Sequence, residues 1–215
     1  MSKSVVPGDL VAKGNYRIYS NVIKNDDKFY SIFVGSAEVA GGKVRVTRLS
    51  GPYIPKIGDQ VIGMITDVQP LAATVDINSY INGFIMANAF YKKRIDPSKR
   101  DLSEKVRIGD LLSARVNRIE RGRDVSLTLE QKWRVDGDAI FYISPAKAAY
   151  LLKSKSNIIN KIKAYTGAGI VMGINGLIVA KGEKDSIDKI TAVIKAIESQ
   201  VELYGLEDVL KGVLS

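Results

Sequence analysis

The sequence has no cysteine and no histidine among its 215 residues. Without cysteine there are no disulfides, no zinc ribbon and no thiol nucleophile. Without histidine, the commonest general base and every histidine-containing metal site are excluded. Catalysis would have to rest on carboxylates, lysine or serine alone, which makes a binding protein the stronger expectation. No stretch approaches 18 consecutive apolar residues, and the start MSKSVVPGD has no hydrophobic signal core. A soluble, cytoplasmic protein is expected.

Hydrophobic residues make up 46% and charged residues 26%, a composition that can bury a core. The length suits one large domain or two to three small ones. Lys plus Arg is 32 against 23 Asp plus Glu, a net charge of +9. That balance points to a polyanionic partner, with nucleic acid ahead of a membrane surface.

Up to about residue 140 the chain reads as β structure. Short apolar runs at Phe29–Val34, Val44–Leu49, Val61–Ile65, Thr74–Ile77, Leu112–Val116 and Val125–Leu129 alternate with Gly, Asn and Asp turn signals. A Gly-Asp pair recurs at Gly8-Asp9, Gly58-Asp59 and Gly109-Asp110. It is either a common turn used repeatedly, or the mark of a β-rich unit followed by a barrel whose strands 1 and 4 start at the second and third pairs. After Asp138 the pattern changes. Ala139–Ile143 reads as a strand, Ser144-Pro145 as an N-cap with proline at the first helical position, and a helix is expected to about Leu152. Asn157 can cap a second helix with Ile158, Ile159, Ile162 and Tyr165 on one face, ended by Gly167. Strands at Ile170–Met172 and Leu177–Ala180 flank Gly173-Ile174-Asn175-Gly176, a hairpin turn. The last helix carries Ile187, Ile190, Ile194, Ile197 and Val201 at helical spacing. From Asp138 to Glu183 no acid occurs, while Lys147, Lys153, Lys155, Lys161, Lys163 and Lys181 fall there, giving an expected basic edge.

The middle segment resembles an S1-type RNA-binding OB fold. The residues that carry this are Ile57-Gly58-Asp59-Gln60-Val61-Ile62-Gly63, Val75-Asp76-Ile77, Gly83-Phe84-Ile85, Ile108-Gly109-Asp110 and the run from Arg115 through Gly122 to Leu129. Such folds stack bases on exposed aromatics while basic side chains track phosphates. The family's two aromatics are missing from Leu71-Ala72-Ala73-Thr74, and its histidine falls at Met86. Tyr80, Phe84, Phe90 and Tyr91 are the aromatics nearby. Lys92, Lys93, Arg94, Arg118, Arg121 and Arg123, with Phe84, are the candidate RNA contacts. The interleaved Asp96, Asp101, Glu104, Glu120 and Asp124 also suit an ordinary solvated face.

The last segment resembles a KH domain in its β-α-α-β-β-α order. A KH domain clamps single strands with a Gly-x-x-Gly loop between its first two helices. Here the loop is Lys153-Ser154-Lys155-Ser156, with both glycines gone, so Lys153 and Lys155 are candidate point charges for phosphate. Together, Val6-Pro7-Gly8-Asp9-Leu10, Gly51-Pro52-Tyr53-Ile54-Pro55, the barrel motifs and Gly173-Ile174-Asn175-Gly176-Leu177-Ile178-Val179 resemble the S1/KH-domain cap subunits of the archaeal RNA exosome over essentially the whole chain. The resemblance implies a β-rich ring-docking domain over residues 1–55, an S1-type OB-fold barrel over 56–136 and a KH domain over 137–215. It implies a non-catalytic, cofactor-free subunit that captures single-stranded, A-rich RNA. Three copies would sit on a hexameric ring of RNase PH-like subunits, alone or mixed with the zinc-ribbon cap subunit. Gly173, Asn175 and Gly176 are expected to be a structural turn. Two other readings remain: a free-standing transcription or translation factor of the NusA-like S1-KH type, and a nuclease using Asp67, Asp76 or Asp96 for Mg²⁺.

Overall fold

The computed structural model describes residues 3–49, 51–91, 102–120, 125–153, 158–200 and 212. The chain begins with seven short strands: β1 (Lys3–Val5), β2 (Leu10–Lys13), β3 (Arg17–Ser20), β4 (Val22–Asn25), β5 (Lys28–Ser31), β6 (Gly35–Ala40) and β7 (Lys43–Arg48). They form two sheets, β1-β6-β7-β3 and β2-β5-β4. In β7 the residues alternate between solvent and core, the pattern of a strand with one face buried. Val5, Val22, Phe29, Ala37, Val44 and Val46 form the core of this unit.

Five strands then close a barrel: β8 (Gln60–Val68), β9 (Ala72–Asp76), β10 (Gly83–Met86), β11 (Leu111–Ile119) and β12 (Val125–Arg134). Their order around the barrel is β10-β12-β11-β8-β9, with β10 and β12 parallel and the other pairs antiparallel. This is the OB arrangement. The interior is filled by Val61, Ile65, Val75, Ile85, Leu112, Val116, Val125 and neighbours from all five strands. Helix α1 (Ala87–Tyr91) follows β10 and inserts Phe90, which meets Trp133 edge-on at 5.3 Å.

The last unit runs β13 (Ala139–Tyr142), α2 (Pro145–Lys153), α3 (Ile158–Thr166), β14 (Gly169–Met172), β15 (Leu177–Lys181) and α4 (Lys184–Ser199), with sheet order β13-β15-β14. This is the KH-type order expected from the sequence. The central strand β15 has four consecutive buried residues, because both its faces are covered. Ile178 and Ala180 meet the helices, while Leu177 and Val179 pack with Ile62, Val135 and Leu111 of the barrel.

The three Gly-Asp pairs are one turn used three times, and the second and third do open barrel strands 1 and 4. The glycines have φ of 90°, 91° and 93°, the left-handed region that favours glycine. Each turn makes the same two-bond clasp. The Gly8 amide donates to the Ser31 carbonyl and the Ser31 amide returns a bond to Asp9; Gly58 and Asp59 do this with Val116, and Gly109 and Asp110 with Ile65. Each pair thereby pins the start of its strand to another strand.

Two local expectations are corrected. On α3 the buried residues are Ile158, Ile162 and Thr166, while Tyr165 is exposed. Thr166 can turn inward because its hydroxyl donates to the Ile162 carbonyl at 2.8 Å. Lys147 leaves the expected basic edge: it is buried, its ammonium donating to the Glu198 carbonyl at 2.8 Å and lying 3.5 Å from Glu198 Oε2. Glu198 Oε1 also accepts from the Ser144 amide, which fixes the end of α4 against the start of α2. Val201, expected to extend the last helix, lies outside the described residues.

Between the first unit and the barrel, Tyr53 is buried and its hydroxyl donates to Asp59 Oδ2 at 2.8 Å. Burial, and then the hydrogen bond to Asp59, holds this phenol protonated well above the ordinary tyrosine range. The folded group keeps its proton while the unfolded one loses it near pH 10, so its stabilisation is complete below about pH 10 and is lost above that. Urea midpoints read from Trp133 fluorescence are expected to fall above about pH 10. Tyr53→Phe is expected to shallow that fall; an unchanged alkaline slope in the variant would contradict the assignment.

Candidate nucleic-acid interface

The pairing register of the barrel brings two of the candidate residues together. Phe84 on β10 sits opposite Thr74 of β9 on one side and Ser126 of β12 on the other, and Ser126 in turn sits opposite Arg118 of β11. Thr74, Phe84, Ser126 and Arg118 therefore form a row across four adjacent strands, with none of the four buried. With strands spaced ~4.8 Å apart, Phe84 and Arg118 are about 10 Å apart across the row. A base stacked on the first would place its phosphates within reach of the second. Among the described residues Arg118 has one long contact, to Glu120 at 3.8 Å, and its side chain is 73% exposed. Such a pair holds the guanidinium weakly.

Neighbouring side chains divide between the open face and the core. Met86 continues the outward face of β10 and is exposed, as is Tyr80 in the preceding loop. Phe90 faces the core. Arg115 is committed to the fold, bonded to Glu130 and to the Gly58 carbonyl at 2.9 Å. Lys92, Lys93, Arg94, Arg121, Arg123 and Lys155 lie outside the described residues. Lys153 is the last residue of α2 and is exposed.

Gly173, Asn175 and Gly176 lie in a tight turn, with Gly176 at φ 87° and its amide donating to the Gly173 carbonyl. The turn also joins the last unit to the barrel. Asn175 is fully buried; its Oδ1 accepts from the Ile62 amide at 3.2 Å, and its Nδ2 donates to the carbonyls of Ile62 at 2.7 Å and Ile77 at 2.9 Å. The Ile174 amide donates to the Gln60 carbonyl, and Asn78 Nδ2 donates back to the Asn175 carbonyl. β9 pairs with β8 only from Met64 onward, so Asn175 takes the place of a strand along the unpaired edge at Ile62. A Cβ on Gly173 would lie 2.5 Å from the Ile62 nitrogen, and one on Gly176 2.1 Å from the Ile143 carbonyl oxygen. The glycines are needed for close approach as well as for the turn.

Sequence reasoning missed Gln60, Ile62, Ile77 and Asn78 as the receptors of this turn. The one local signal was the unbroken apolar run Leu177–Ala180, which marks a strand covered on both faces. Asp67 and Asp76 each accept a local hydrogen bond, from Gln69 and from the Asn78 amide, and Asp96 lies outside the described residues. Among the described residues no group of three or more acidic side chains is placed to hold a metal ion.

The family model described as the exosome RNA binding protein RRP4 N-terminal domain matches residues 3–50. The exosome complex component Rrp4 of Nitrosopumilus maritimus is 33% identical over 99% of this chain and 95% of its own length. The chain belongs to the Rrp4 family. Rrp4 of Thermococcus kodakarensis is 32% identical, covering 96% of this chain and 82% of its own. Among solved structures, one titled as a putative exosome complex RNA-binding protein superposes with a TM-score of 0.66 at 26% identity, over 76% of this chain and 95% of that one.

Replacing Asn175 by alanine would strand the Ile62 amide and two carbonyls in a buried site. At about 1–3 kcal/mol for each stranded group, softened by relaxation, a loss of at least ~3 kcal/mol is expected. Urea unfolding followed by Trp133 fluorescence measures it; a loss below ~1 kcal/mol would show that the turn is not a structural joint.

Proposed function

We propose that this chain is a non-catalytic, RNA-binding cap subunit of an exosome, which captures single-stranded RNA and guides its 3′ end to a degrading ring. The supporting observation is the outward row of Phe84 and Arg118 on the barrel of a chain of the Rrp4 family, whose relatives are named exosome complex components. A net charge of +9 favours a polyanionic strand. Phe84 supplies a stacking surface and Arg118 a phosphate contact, with Lys92, Lys93, Arg94, Arg121 and Arg123 extending the electrostatic track and Lys153 and Lys155 adding point charges. With one aromatic on the row, charge carries much of the binding, so A-rich preference would come from stacking strength rather than from base-edge readout. In this reading three copies sit on a hexameric ring of RNase PH-like subunits, alone or alongside a zinc-ribbon cap subunit. The first unit faces the ring. The relatives' names favour this over a free-standing transcription or translation factor.

Fluorescence anisotropy with a short oligoadenylate tests the RNA site. Phe84→Ala is expected to weaken binding by about 1–3 kcal/mol with little change in salt dependence. Arg118→Gln is expected to lower the slope of log affinity against log salt by about 0.7. Affinity and slope unchanged in both variants would remove the row from the RNA path. Affinity purification after nuclease treatment tests the complex. RNase PH-like subunits recovered in near-equal amounts are expected, and recovery of RNA polymerase or ribosomal proteins without them would contradict the cap reading.

A further inference from the structure

The outward face of the β1-β6-β7-β3 sheet carries an aromatic side chain in an unusual setting. Tyr19 on β3 is 64% exposed, although aromatic side chains on sheets are commonly packed. It borders an open cleft of about 300 Å³ together with Glu38, Ala40, Lys43 and Arg45. The Lys43 ammonium lies 5.8 Å from the Tyr19 ring centre. Arg17 sits opposite Lys43 in the parallel register between β3 and β7 and is exposed. At the far side of the cleft Glu38 Oε2 accepts from Arg45 Nε at 2.9 Å, so the acid and one of the three cations offset each other. Lys43 and Arg17 have no ion pair among the described residues, which leaves a local surplus of two positive charges beside an exposed ring.

We propose that this face is a second subsite for single-stranded RNA, in which a base stacks on Tyr19 and the adjoining phosphates lie against Lys43 and Arg17. The inference rests on the RNA-binding reading of the chain, extends it to a site away from the barrel row, and requires this face of the first unit to lie clear of the ring that the unit docks on. A flat ring flanked by cations of one sign is the arrangement by which proteins hold single strands without reading sequence: the ring accepts any base face, and the cations follow the backbone. The Glu38–Arg45 pair borders the cleft and holds Arg45 in place, while Lys43 keeps its charge beside the ring. The Lys43 ammonium lies over the ring, so a base stacking on that face displaces the flexible lysine toward the adjoining phosphate.

The test uses the full chain and a fluorescent oligoadenylate of about 30 nucleotides, longer than the ~16 that one OB fold occupies. Tyr19→Ala is expected to weaken binding about tenfold with the salt slope unchanged, and Tyr19→Phe to restore it. Lys43→Gln and Arg17→Gln are each expected to reduce the salt slope by about 0.7. All three residues are exposed, and unchanged urea midpoints would confirm that the variants are folded. If Phe84→Ala weakens binding while Tyr19→Ala and Lys43→Gln bind as the parent does, the second subsite is overturned and the barrel site stands. If these variants keep full RNA affinity but lose co-purification with RNase PH-like subunits, the face is a protein contact and the proposal is overturned. If the parent chain binds no oligoadenylate at all, the RNA-binding reading fails and this subsite with it.

Discussion

One buried side chain, Asn175, sets the relation between the barrel and the last unit. Its amide offers both an acceptor and donors, and so pairs with the backbone of Ile62 as a neighbouring strand would. A barrel strand that outruns its partner leaves backbone groups that must be satisfied, since each one buried without a partner costs free energy. Here the hairpin of another unit supplies the partner. Serine or threonine would be too short to reach both groups, and aspartate has no donor for the two carbonyls. The apolar contact of Leu177 and Val179 with Ile62, Val135 and Leu111 completes the joint. The lone asparagine and its flanking glycines are thus a consequence of two units meeting edge to face.

The joint has a functional consequence. The turn that links β14 and β15 is committed to the barrel, and the link between α2 and α3 lacks the glycines that let a phosphate approach backbone. The last unit therefore keeps a KH-type fold while its hairpin serves as a brace. In the proposed reading the barrel, with Phe84 and Arg118 aligned by register, is the surface that holds the single strand. Ser144 extends the bracing, because its hydroxyl donates to the Leu49 carbonyl and ties the third unit to the segment leaving the first.

Much of this was legible in the sequence, because much of it is local. Alternating burial in β7, proline at the first position of α2 and the repeated Gly-Asp turns are each fixed within a few residues by backbone chemistry. The three turns even carry their meaning, since a left-handed glycine followed by a clasping aspartate pins a strand start wherever it occurs. The rest depended on residues far apart in the chain. Nothing near Asn175 indicates Ile62, 113 positions away. Lys147 reads as a surface cation until α4 delivers the Glu198 carbonyl to it. Arg115 and Arg118 are alike in sequence, and only the folded contacts show that Arg115 is bound to Glu130 and the Gly58 carbonyl while Arg118 has a single long contact to Glu120 among the described residues. Tyr19 and Lys43, separated by a hairpin and a sheet, gave no sign of sharing a cleft.

The central claim is that RNA lies on the barrel while the hairpin turn of the last unit braces it. Photo-crosslinking of the full chain to a single-stranded oligonucleotide bearing 4-thiouridine, with peptide mapping of the adducts, tests it most directly. The account predicts adducts on the peptides containing Phe84 and Arg118. Adducts confined to residues 139–200, with none on the barrel, would contradict it.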